Sequence, residues 1–306
     1  MQFGVFLPTM PSWYRTSTVR TAVEEVARAA EALGFASVWA NDAVIHPPGP
    51  DFQHAEGVIE PFVTLASLIH LVPRLHLGVS VLVLPQRNAI IVAKQAATLD
   101  LLSQGRFILG VGIGHREEEF AFLGADYAHR GAITDESIAL LRTLWREPRV
   151  HFQGATYTLS DAVFEPKPLR GDLPIWVGGS SAAAVRRAAQ LGEAWLPHNL
   201  GLDAFRAGVA TIRAHAPRER RPLIAGWFGV HPHEPGKQMS VDDPFLIGLV
   251  SRGIAGTPET IAERSASYRQ AGLEYVVCAF AGERVDSAVQ QMQVFAEQVM
   301  PQFVGA

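Results

Sequence analysis

The stretch "GVSVLVLPQRN", residues 78–88, decides how the chain is read. It opens as a strand covered on both faces. Val79, Val81, Leu82, Val83 and Leu84 are apolar and mostly β-branched, the composition of a buried parallel strand. Pro85 stops the run, and a polar corner of Gln86, Arg87 and Asn88 leads into a helical pattern from about 89 to 102. Ser80 breaks the apolar run, so the end of this strand must face something other than core.

Outward from that unit, the same strand-then-helix rhythm runs in both directions. Strand patterns stand at 3–8, 35–42, 74–85, 105–114, 173–179, 193–197, 222–232 and 273–282. Helical patterns follow them at 18–33, 60–71, 89–102, 116–123 with 132–146, 181–191, 202–215, 258–271 and 284–299. Eight such units predict an α/β fold, a closed (β/α)8 TIM barrel with insertions, as one domain over 1–306. The insertions are expected near 148–174, rich in proline, and near 233–252. A doubly wound dinucleotide fold is the alternative, because "GVGIGHREE" at 110–118 looks like a phosphate-binding turn. Its spacing is G-x-G-x-G, not G-x-G-x-x-G, and it falls on the fourth unit with no acidic residue ending the next strand.

Composition narrows the function. The chain has 306 residues, 48% of them hydrophobic, and a net charge of −4. That supports a large core and argues against a nucleic-acid partner, which calls for a basic face. The one basic cluster, Arg218, Arg220 and Arg221, includes Glu219 and reads as a solvated loop. Residues 1–10 have no basic segment and Pro8 ends their apolar run, so no signal peptide is expected; no apolar run reaches the roughly 18 residues of a membrane span. A single cysteine, Cys278, excludes an internal disulfide and a cysteine-based zinc site. A cytoplasmic location is expected.

Chemistry in a (β/α)8 barrel sits where strands end and loops begin. Those ends supply Phe6 and Pro8, Asn41 and Asp42, Ser80, Ile113, Gly114 and His115, Gly178 to Ser181, Pro197 and His198, Val230 and His231, and Phe280 and Ala281. This mouth is mostly apolar, which suits a flat aromatic ligand. "WVGGSSAAAVRRAA" (176–189) carries a strand through Gly178, Gly179, Ser180 and Ser181 into a helix. Glycines allow close backbone approach and a helix N-terminus offers free N–H groups, so a phosphate is the expected occupant; the alternative is that Ser180 merely caps the helix. His231, His233 and Glu234 lack a companion cluster and read as loop rather than metal ligands, and no metal is expected. Asp100 and Arg106 read as a cap or ion pair, and Glu117 to Glu119 complement a helix dipole.

Taken together, "GVFLP", "GFASVWAND", "RLHLGVSVLVLPQRN", "AKQAATLDLLSQGRFILGVGIG", "PIWVGGSSAAAVRRAAQLGEAW" and "GTPETIAERSASYRQAGLEYVV" resemble the luciferase-like monooxygenase superfamily over nearly the whole chain. "LPQRN" and "GVGIG…EEE" are most similar to its branch using the deazaflavin coenzyme F420; relatives using FMN share much of the frame. The resemblance implies a non-proline cis peptide at Ser80–Val81 that supports the cofactor ring, with the Gln86–Asn88 corner shaping the same side of the pocket. It further implies cofactor contacts at Phe6, Asn41, Ile113, Gly114 and Glu118, and a homodimer. Two departures stand out. Where the family often has a proton-handling histidine, this chain has Ala43, after Asp42; His46, His115 or Asp42 would have to act instead. Gly192-Glu193-Ala194 replaces glycine-aspartate-glycine, and Ala89 replaces a proline.

The expected function is an oxidoreductase moving a hydride between F420 and a small-molecule organic substrate. The alternatives are an FMN-dependent monooxygenase and a cofactor-binding protein with little turnover. The apolar mouth and Trp13, Tyr14, Trp227 and Phe228 suggest a hydrophobic substrate, although ordinary packing also explains these aromatics.

Overall fold

The structure is a computed structural model that describes residues 1–10, 17–47, 57–233, 247–248, 251–280, 282 and 284–303. Trp13, Tyr14, Glu234, Ala281 and most of 233–252 lie outside the described residues. Eight parallel strand positions close into a barrel. In order around it they are β1 (Gln2–Phe6), β2 (Ser37–Ala40), β3 (His76–Val79) continued by β4 (Leu82–Val83), β5 (Phe107–Gly112), β8 (Ile175–Gly178), β9 (Ala194–Leu196), β10 (Leu223–Pro232) and β12 (Tyr275–Phe280). The ring closes where β12 pairs with both β1 and β10. The (β/α)8 expectation holds, and the doubly wound alternative is excluded.

Local sequence explains the helices. In α1 (Val19–Ala32), Thr18 Oγ accepts the Thr21 N–H at 3.2 Å, and Ala22, Val23, Val26, Ala27 and Ala30 form the buried stripe. The helices α2 (Pro61–Leu68), α3 (Ala89–Leu102), α4 (Glu117–Phe122), α5 (Arg130–Arg146), α6 (Ala182–Leu191), α7 (Leu202–His215), α8 (Pro258–Gln270) and α9 (Val285–Gln298) follow. Between α5 and β8, β6 (Val150–Gln153) and β7 (Thr158–Ala162) form an antiparallel hairpin apart from the barrel. A short strand, β11 (Ile254–Gly256), is a feature the sequence reading lacks. It pairs with the upper part of β10, on the edge β9 has left. Its three residues are too few to show periodicity.

One end of the barrel is plugged. Alternate residues of each strand point inward, and Trp39, Trp176 and Tyr275 meet there with ring centroids 4.8 and 5.0 Å apart along the chain of contacts. Trp39 donates from Nε1 to Ser37 Oγ, which also bonds the Tyr275 hydroxyl. Gly4 and Gly78 make room: a Cβ on either would fall 2.6 Å or less from an atom of the Trp39 ring. Burial pushes the Tyr275 phenol up to about 12, so it stays protonated. Asp100 and Arg106 do not pair. Asp100 accepts from Leu169 N, and Arg106 donates to the carbonyls of Ile69, Val72, Leu75 and Ser103.

Candidate active site

The third strand shows why it carries a serine. Leu77 and Gly78 pair with Phe107 and Ile108, whereas Leu82 and Val83 pair with Val111 and Gly112. The strand thus spends one residue more than β5 between these pairs, and the excess is a bulge at Ser80–Val81. The peptide bond there is cis, as the family resemblance implies. Ser80 N–H still bonds Ala40 O at 2.7 Å, and both bulge residues are half-buried at the C-terminal mouth. Ser80 is therefore a rim residue and not a polar defect in the core.

Val81 is seated in a notch cut by glycines. A Cβ at Gly110, Gly112 or Gly178 would come 3.3, 2.6 or 2.9 Å from its methyl groups. The G-x-G run on β5 thus follows strand parity: alternate residues face one side and are kept bare for Val81. At Gly114 the φ of +72° and the nearness of Val83 and Phe120 both require glycine.

Two of the three corner residues, Arg87 and Asn88, are spent locally, whereas the buried Gln86 Nε2 has no partner among the described residues. Asn88 Oδ1 accepts the Ile90 and Ile91 N–H groups and caps α3, as an asparagine before a helix does. Arg87 reaches back to Asp42, with Nη2 2.5 Å from Oδ1 and Nε 3.3 Å from Oδ2. Val83 N–H also bonds Oδ2 at 2.9 Å, and the Asp42 side chain is 1% exposed. This carboxylate is a fastener between β2 and β4.

His46 and His115 take different positions. His46 Nδ1 lies 3.0 Å from the buried Glu119 Oε1 and 3.2 Å from Arg116 Nη1, an imidazole oriented by a carboxylate. His115 is exposed; desolvation by the nearby wall and then Arg116 push its imidazole below the usual range, with Glu119 opposing. Glu118 points to solvent from α4, and Asn41 accepts from the Thr9 hydroxyl. Glu193, at the second departure from the family pattern, is held by Arg142 at 2.7 Å and Ile175 N–H at 2.8 Å.

At the turn after β8, Gly178 is buried while Gly179, Ser180 and Ser181 are exposed. Gly179 has φ +105°, and its carbonyl accepts from Trp195 Nε1 at 2.8 Å. The cap of α6 is Ser181, whose Oγ accepts from Ala184 N, so the alternative that Ser180 is the cap does not hold. The turn begins one residue beyond Gly178, which touches Val81; bulge and turn form one continuous surface.

Sequence reasoning names His198, Trp227 and His231 without grouping them. The structure sets His198 against Trp227, with His231 four residues further along the same face of β10. Trp227 is 7% and His231 8% exposed; the Trp227 ring lies edge-on to Phe6 at 5.1 Å and against His198 at 4.3 Å. His198 is open to solvent on one side and walled by protein on the others. Desolvation, then Arg252, lowers its pKa to about 4. Unfolded, the ring would take up a proton below about 6.5; folded, it resists until about 4. Stability is therefore full above about pH 6.5 and falls as acid is added through that window. An NMR titration of the His198 ring should give a midpoint near 4; a midpoint near 6.5 would refute the desolvated placement.

A cavity of about 710 Å³ opens at the opposite end, among Arg213, Arg218, Arg220, Arg221 and Arg269. That is the N-terminal face, where barrels keep stability rather than catalysis. Among the described residues, no three histidine, cysteine, aspartate or glutamate side chains converge to hold a metal, and no helix is long and apolar enough to cross a membrane.

Comparison with known proteins agrees with this layout. A phthiodiolone/phenolphthiodiolone dimycocerosates ketoreductase of Mycobacterium kansasii is 36% identical over 282 residues, covering 71% of this chain and 76% of the relative. A monooxygenase of Streptomyces bottropensis superposes with a TM-score of 0.85 at 20% identity, over 99% of this chain and 100% of that one. An F420-dependent secondary alcohol dehydrogenase, solved with an F420–acetone adduct, gives 0.80 at 19% identity over 98% of both chains. The model of the luciferase-like monooxygenases matches residues 1–233. With the bulged third strand and the barrel of that family both in place, the chain belongs to the luciferase-like monooxygenase family.

Proposed function

We propose that the protein is an oxidoreductase that transfers a hydride between coenzyme F420 and a hydrophobic organic substrate, interconverting a ketone and an alcohol. The observation that carries this is the continuous surface from the Ser80–Val81 bulge to the Gly179–Ser181 turn. It offers a half-buried bulge for a flat ring and, beside it, an exposed glycine and helix N-terminus for a phosphate. A flavin-type group fits those residues. Carbonyl chemistry is favoured by the likeness to a ketoreductase at 36% identity. When bound, the deazaflavin supplies two electrons as hydride and reacts poorly with oxygen.

The chain's own groups then divide the remaining work. Gly178 to Ser181 hold the phosphate through backbone N–H groups and the Ser180 hydroxyl. Phe6, Asn41, Ile113, Gly114 and Glu118 border the ring and its tail. Asp42 acts by fixing Arg87 and Val83 beneath the bulge. Proton handling falls to His46, oriented by Glu119, with His115 beside the same loop. Such general acid–base help is typically worth about 10²–10⁴-fold in rate.

Side-by-side titration with F420 and FMN tests the reading. F420 is expected to bind more tightly, and Gly179→Val to weaken it by at least about tenfold. A valine there meets the Ala184 methyl at 3.0 Å and cannot easily adopt φ +105°. Tighter FMN binding would replace the proposal with the monooxygenase reading. Tight F420 binding without single-turnover hydride transfer would leave a cofactor-binding protein.

A further inference from the structure

The far wall of the mouth holds donors that the protein itself does not use. Trp227, Gly229 and His231 share one parity on β10. That face is the inner one, because Trp227 meets Phe6 across the intervening β12, and Phe6 lies two residues beyond Gly4, which faces the Trp39 plug. Trp227 and His231 are both more than nine-tenths buried, yet among the described residues Trp227 Nε1 and His231 Nδ1 have no hydrogen-bond partner. An indole N–H can only donate. Buried donors are nearly always satisfied, so one without a protein acceptor points to a ligand.

The wall is also built to keep its place. Trp227 N–H bonds Pro197 O at 2.8 Å, Asn199 N–H bonds Trp227 O at 2.7 Å, and Asn199 Oδ1 accepts from Gly229 N–H at 3.0 Å. Asn199 adopts φ +42° to make this double contact. On the opposite wall Asp42 is bonded to Arg87 and Val83 and His46 to Glu119, while Gln86 Nε2 is likewise without a partner among the described residues.

We infer that Trp227 Nε1–H binds the oxygen of the substrate's reacting carbonyl or hydroxyl group. This assignment rests on the ketone–alcohol reading above. Trp227 keeps its proton; it donates a hydrogen bond to the oxygen and so orients the carbon. Neutral histidines suit this wall. Burial lowers the pKa of His231 against the pull of its own carbonyl, and His233 lowers it further.

The test uses carbonyl-¹³C-labelled 2-decanone as the probe, with infrared spectra of the bound ketone taken with and without cofactor. Wild-type protein should lower the carbonyl stretch relative to the ketone in hydrocarbon. Trp227→Phe keeps the ring against Phe6 and His198 but removes the donor; the stretch should return toward the hydrocarbon value and probe affinity should fall about tenfold. An unchanged stretch in Trp227→Phe, or no bound band in the wild type, overturns the assignment. So does weaker cofactor binding with unchanged probe binding, which would give the donor to the cofactor's oxygen. Failure of the cofactor reading shows separately, as loss of F420 binding while the cofactor-free carbonyl shift persists.

Discussion

Arg87→Met is expected to lower the folding free energy by about 3–5 kcal/mol, the usual cost of leaving a buried charge without its partner. The Asp42 side chain is 1% exposed and the Arg87 side chain 17%. Of the bonds to this carboxylate, only that from Val83 N–H would survive. The damage extends further, because Arg87 also reaches Glu60 at 3.4 Å, and Glu60 caps α2 through Val63 N–H. Asp42→Asn retains an acceptor for Val83 and is expected to cost less, about 1–3 kcal/mol. Urea denaturation of both variants measures the difference. A midpoint for Arg87→Met equal to the wild type's would show that Arg87 is not the fastener described.

Trp39→Ala is expected to cost a similar amount, about 3–5 kcal/mol, through the hole it leaves. Trp39 is fully buried against Trp176 and Tyr275. How much of a cavity survives depends on whether the neighbours can close over it. Here they are strands of a closed ring, fixed by hydrogen bonds on both edges, and Gly4 and Gly78 have no side chains to fill the gap. The Ser37 and Tyr275 hydroxyls also lose the indole partner. The denaturation midpoint should fall with the slope unchanged; a loss below about 1 kcal/mol would mean the plug does collapse.

The strand–helix alternation was legible because parallel barrel strands are continuous apolar runs bounded by turns, as "FILGVG" and "YVVCAF" are. What periodicity could not show was where pairing slips. The bulge at Ser80–Val81 is a relation between two strands, and only the family resemblance pointed to it. The glycines of "GVGIG" suggested a nucleotide turn, yet they answer to the crowding of the third strand: Gly110 to Val79 and Val81, Gly112 to Val81, and Gly114 to Val83 and Phe120. Hydrogen-bond allegiance was equally hidden. The family resemblance placed Asn88 beside the pocket; its bonds to Ile90 and Ile91 make it the cap of α3. Asp42 stood beside Ala43 as a proton handler, but Arg87, 45 residues on, claims it. The converse holds for Trp227, whose lack of a partner is a property of the folded wall alone.

The aromatic plug has a kinetic consequence. Among the described residues, the barrel is stoppered at one end by Trp39, Trp176 and Tyr275, so ligands of the mouth enter and leave from the mouth's own side. When two ligands share such a passage, the deeper one arrives first and departs last. On the proposed reading the cofactor would therefore bind before the substrate, and the substrate would exchange while the cofactor stays behind it.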